Sequence, residues 1–178
     1  MLKLLLPRIV RVMRLFPFAL MTSALVIATL CPAQDGASAK SPLSKADRDN
    51  IFKGDFTIVK NTEAIPANVK QSFAEITRQP FFALANPGQE YQATDVVNPK
   101  KRRLPSRRLI FAGTYGDKWF IHYERGGIGH YYAVVLLGAD GGNRPQFLWG
   151  GVGFSGAQNL AELRALVAAG RFSENAYY

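Results

Sequence analysis

RLIFAGTY at 108–115, KWFIHYER at 118–125, HYYAVVLL at 130–137 and QFLWGGV at 146–152 are strand-length runs rich in β-branched and aromatic residues. Gly116-Asp117 and Gly126-Gly127 separate the first three, which makes neighbouring runs antiparallel hairpins. A longer glycine-rich turn, residues 139–145, leads into the fourth. On the second run Trp119, Ile121 and Tyr123 point to one face, expected to be the core side. Lys118, Phe120, His122 and Glu124 point to the other, which reads as mixed and partly wet.

Upstream, Phe56 to Val59 and Tyr91 to Val96 are further strand candidates. Pro66 suits a first helical position, Val69, Phe73 and Ile76 share one helical face, and Pro80 ends the helix. A last helix is expected over 156–169. Ser155 with Gln158, or Asn159 with Glu162, would form its capping box, and Gly170 its left-handed stop. Adjacent antiparallel strands with a helix before and after define an α+β fold. The expectation is a four-stranded meander, open to a fifth strand, with both helices packed on one face of the sheet.

The first 33 residues are read as an export signal. Lys3, Arg8, Arg11 and Arg14 precede an uncharged run from Leu15 to Leu30, and small residues follow. The run is short for a membrane span, so a cleaved leader is favoured over a retained anchor. Cleavage is expected after Ala33, with Ala39 as the second choice. Cys31 could be the acceptor of a bacterial lipoprotein, but Leu30 stands where a small residue is needed. Residues 34–49 are small, polar and without aromatics, a flexible lead to a single domain at 50–178.

Formal charge is +9, with 22 basic and 13 acidic residues, and the leader holds four of the basic ones. The rest of the chain therefore carries 18 basic and 13 acidic residues, a net of +5. Lys100, Lys101, Arg102, Arg103, Arg107 and Arg108 supply all of that excess, within a segment bracketed by Pro99 and Pro105 that reads as an exposed loop. These six are the candidate anion-binding residues, for an anionic envelope component or a protein partner. No helix-turn-helix or RNA-binding aromatic signature accompanies them, so nucleic acid is not expected.

His122, Glu124 and His130 are the candidate catalytic set. With a three-residue turn at 126–128, residues whose numbers sum to 254 would pair, placing His130 opposite Glu124 and Tyr132 opposite His122. Two imidazoles and a carboxylate on one sheet face can shuttle protons or hold a metal. A Glu–His pair is also ordinary cross-strand stabilisation. Gly151, Gly153 and Gly156 form a literal GxGxxG, yet too little chain follows for a dinucleotide fold. Ser155 sits in a turn like that of a nucleophilic serine, but both histidines precede it, the wrong order for that architecture. No cofactor or resident metal is called for. The expectation is a small exported binding protein, with a small periplasmic enzyme, hydrolase-like or metal-dependent, as the alternative.

Overall fold

The two-residue turn at Gly116-Asp117, with Gly116 at a left-handed φ of 57°, joins β2 (Arg107–Tyr115) to β3 (Lys118–Arg125). A computed structural model describes residues 43–95, 104–138 and 144–174, all within one compact unit, Gln34–Tyr178. β4 (Tyr131–Gly138) and β5 (Gln146–Gly153) continue the meander. β1 (Thr57–Val59) adds the fifth strand against β2, so the order is β1-β2-β3-β4-β5, antiparallel throughout and open at both edges. Tyr91 to Asp95 forms no strand; Thr94 makes a single bridge to Gly127, and Val96 lies outside the described residues.

Three α-helices are seen among the described residues: α1 (Lys45–Phe52), α2 (Ala67–Ile76) and α3 (Leu160–Ala168). They do not share a face. α2 brings Val69 and Phe73 onto Leu109, Ile121, Tyr123, Val135 and Leu137. Phe52 of α1 and Leu163 and Val167 of α3 cover Phe111, Phe120, Val134, Leu136 and Trp149 on the opposite face. This corrects the expectation of helices on one face, and of a partly wet face through His122: both faces of the central strands are buried. Such strands read as continuous apolar runs rather than alternating ones, as YYAVVLLG does.

The missing cover is α1, which starts within the stretch read as a flexible lead through residue 49. Its sequence, KADRDNIF, is polar except at its end, so periodicity could not reveal it. Ser44 caps it: its Oγ accepts from the Asp47 N–H at 3.2 Å. Phe52 anchors it, and the Arg48 guanidinium lies 4.9 Å from the Trp149 ring. Arg164 of α3 stitches the pair, donating at 2.6 Å to the Phe52 and Gly54 carbonyls at the end of α1.

Helix boundaries differ by small amounts. Pro66 is the N-cap of α2 rather than its first helical residue. α3 begins at Leu160, with Asn159 accepting from the Glu162 N–H at 3.0 Å; of the two caps considered, this is the one used. Gly170, with φ of 67°, ends it as expected.

Ile110 is an extra residue in β2. The register runs Leu109 to Tyr123 and then Phe111 to His122, so Ile110 has no opposite number. A bulge of this kind switches the faces of the residues beyond it. It lets Leu109 face α2 while Arg108 and Phe111 both stand on the face of Glu124 and His122.

Candidate functional site

Glu124, near the end of β3, collects three donors. Arg108 Nε donates to Oε1 at 2.6 Å; Tyr91 Oη and His130 Nε2 donate to Oε2 at 2.8 and 2.9 Å. The Arg108 guanidinium also lies 4.4 Å from the Tyr91 ring centroid. Burial alone would raise the Glu124 pKa, but the bonds from Arg108, His130 and Tyr91 outweigh it and hold the carboxyl below its ordinary value. Burial, helped by the Glu124 charge, pushes the Tyr91 phenol up to about 12. A carboxylate that holds three donors, with both oxygens engaged, is a tie between segments.

The β3–β4 loop holds five residues, 126–130, where three were expected, so Glu124 pairs with Tyr132 and His122 with Val134. The register slides by two, which preserves faces. His130 therefore still reaches Glu124, from the loop rather than from a ladder position, with its ring edge-on to Tyr132 at 5.0 Å.

His122 is elsewhere in function if not in sequence. It is 0% exposed and ringed by Phe111, Phe172 and Tyr132. Its Nδ1 donates to the Ala133 carbonyl at 2.9 Å, and its Nε2 accepts from the Ala157 N–H at 3.0 Å. A carbonyl only accepts and an N–H only donates, so these partners fix the neutral tautomer. Burial lowers its pKa to about 4. The predicted trio thus divides into a bonded Glu124–His130 pair and a sealed core histidine that pins the turn before α3 to the sheet. Among the described residues, no group of three His, Cys, Asp or Glu could hold a metal.

The basic segment divides as well. Arg107 is 5% exposed, packed on the α2 face beside Tyr123, with Nη2 3.4 Å from the Thr77 carbonyl; burial draws its pKa below the ordinary value. Arg108 is the partner of Glu124. Both belong to β2 and to the fold, which corrects their assignment to an exposed loop. Lys100, Lys101, Arg102 and Arg103 lie outside the described residues.

The glycine motif has a packing cause. A Cβ at Gly151 would stand 2.6 Å from Phe172 Cβ, one at Gly153 would stand 2.5 Å from the Arg171 carbonyl oxygen, and one at Gly156 would strike the Tyr132 ring. The motif lets residues 171–173 cross β5, where Ser173 bridges Val152. It ends four residues before α3 starts, so it cradles no helix N-terminus.

Tyr91 and Arg108 as partners of Glu124 were missed: the bulged register reveals Arg108, and Tyr91 reaches Glu124 from a segment that forms no strand. Ile128 and Phe154 were missed too, although a signal existed: each is a large apolar residue set among turn-forming residues, in GGIGH and GFSG. Both are exposed. A cleft of about 350 Å3 beside α2, lined in part by the Glu75–Arg144 ion pair, touches none of these residues. Nor does one of about 280 Å3 between α1 and α3. No described helix is long and apolar enough to cross a membrane. No protein family, curated protein or solved structure matches the chain.

Proposed function

We propose that the chain is an exported binding protein that meets an anionic component of the cell envelope at the end of the sheet where β2 begins and β3 ends. One observation carries this reading: both flanks of the basic segment are tied to that end. Gln92 N–H donates to the Pro105 carbonyl at 2.8 Å, Gly126 N–H donates to the Ser106 carbonyl at 3.0 Å, and Thr94 bridges Gly127. Arg107 and Arg108 are committed to the fold, so the local charge excess reduces to Lys100 through Arg103. In the sequence Arg103 directly precedes Leu104. Export rests on the basic and then uncharged pattern of residues 1–30.

An acid–base reading has less support, because both ring nitrogens of His122 and both carboxylate oxygens of Glu124 are engaged within the fold. The test replaces Lys100 through Arg103 with Ser and measures retention on an anionic matrix over a salt gradient. Loss of salt-sensitive retention with an unchanged melting temperature supports the reading. Retention that survives the replacement overturns it.

A further inference from the structure

We infer that the anionic partner is a lipid bilayer surface, into which Ile128 and Phe154 insert. This rests on the proposed anionic binding and names its partner. Ile128 is 96% exposed and Phe154 87%, each in a turn of the same sheet end: Ile128 between β3 and β4, Phe154 just after β5. Tyr131 joins them. Its ring lies 6.5 Å from that of Phe154, and its hydroxyl crowds Gly129, the neighbour of Ile128. The result is two raised apolar tips with an amphipathic ring between them.

Exposed apolar side chains are ordinary when scattered singly; two nearly bare ones joined through a tyrosine mark a contact. Charge decides the partner's nature. Between Asp95 and Leu104 the sequence carries four cations, Lys100 through Arg103, and no acid, and the described flanks of that segment are tied to this end. Arg171, exposed, has its carbonyl against Gly153, next to Phe154. Apolar tips beside cations suit the boundary between head groups and acyl chains, where burial and attraction to anionic lipid add. A protein interface would instead require a broad complementary area, commonly about 800 Å2 per partner, around such anchors. Two side chains lifted on separate glycine-rich turns offer tips rather than a surface.

The experiment uses the whole chain and vesicles of phosphatidylcholine with or without phosphatidylglycerol, so that any contribution of residues 1–33 is common to every variant. Ile128→Ser with Phe154→Ser should lower partitioning into the anionic vesicles at least tenfold, with unchanged circular dichroism, since neither side chain is part of the core. In the same vesicles Phe154→Trp should gain fluorescence that lipids spin-labelled in the acyl chain quench; Trp119 and Trp149 give the background, read from the chain without the substitution. Unchanged partitioning of the double variant, with no added quenching, overturns the inference. If replacing Lys100 through Arg103 still abolishes binding in that case, the anionic reading stands and only insertion fails. A polypeptide that binds through Ile128 and Phe154 while Phe154→Trp stays unquenched also overturns it, in favour of a protein partner.

Discussion

Replacing His122 with Leu should change how stability depends on pH, by an amount the structure sets. The ring is held neutral by one donated and one accepted bond and by complete burial. Its pKa is about 4 in the folded protein, against an ordinary value of 6.5 once the chain unfolds. Between those limits the unfolded chain binds a proton that the folded chain refuses, so stability falls as pH falls through that window. The gap, at 1.36 kcal/mol per pH unit, makes a loss of roughly 3 kcal/mol from pH 7 down to 4. Leu escapes that loss but leaves the Ala157 N–H and the Ala133 carbonyl without the imidazole, which costs about 2–5 kcal/mol at pH 7.5. Urea unfolding of both proteins from pH 7.5 to 4.5 should therefore show the wild-type advantage shrinking by most of that 3 kcal/mol. Carboxylates and His130 are common to the pair and cancel. A constant difference across the range, or an NMR titration of His122 near 6.5, would refute the reasoning.

Glu124→Gln keeps the shape but removes the charge that Arg108 and His130 share, and should cost about 1–3 kcal/mol, read as a fall of several degrees in melting temperature. Because the Glu124 pKa is held below its ordinary value, its contribution is present above the ordinary carboxylate range and is lost as pH falls through the lowered value, so this variant should lose its disadvantage in acid. Tyr91→Phe should remove a phenol that ionises only at about 12, visible as the loss of one step in that range of an ultraviolet alkaline titration. Gly151→Ala drives a methyl to within 2.6 Å of Phe172 Cβ and should cost about 1–3 kcal/mol in denaturant unfolding. Deleting Ile110 should close the bulge into a regular ladder, with Leu109 still opposite Tyr123 and Phe111 opposite His122, so the shortened chain should fold and keep the Arg108–Glu124 pair; a collapse of the soluble yield would count against this register.

The strands were legible because their turns are written in glycine and their interiors in β-branched and aromatic residues. β3 falls at 118–125 as read, β2 and β5 each differ by one residue at one end, and β4 is shifted by one residue at both. α1 was illegible because two apolar side chains at the end of a polar segment carry no period; tertiary contacts of Phe52 and Arg48 hold it in place. The bulge at Ile110 has no local signature, and without it the partner of Glu124 could not be named. Face parity survived an error in loop length because a shift of two restores it, whereas a shift of one would have carried His130 to the α2 side.

A sheet covered on both faces changes what a polar residue in a strand signifies. With no solvent on either side, every imidazole, carboxylate and guanidinium in mid-strand must find a fixed partner or destabilise the fold. His122 takes two backbone groups, Glu124 takes three side chains, and Arg107 is enclosed beside Tyr123. The residue types that suggest chemistry are thus consumed by structure, and what consumes His122 is the turn before α3 and Phe172 beyond it, segments whose packing on the sheet has no periodic signature. The converse holds at the end of the sheet. Ile128 and Phe154 are of the types that build cores, yet they stand in turns outside either core, where solvation by water is unfavourable and no core contact compensates. A side chain that weakens the isolated protein's solubility without adding to its packing has its rationale outside the molecule, which is why the contact surface is sought at those two tips and not at the histidines.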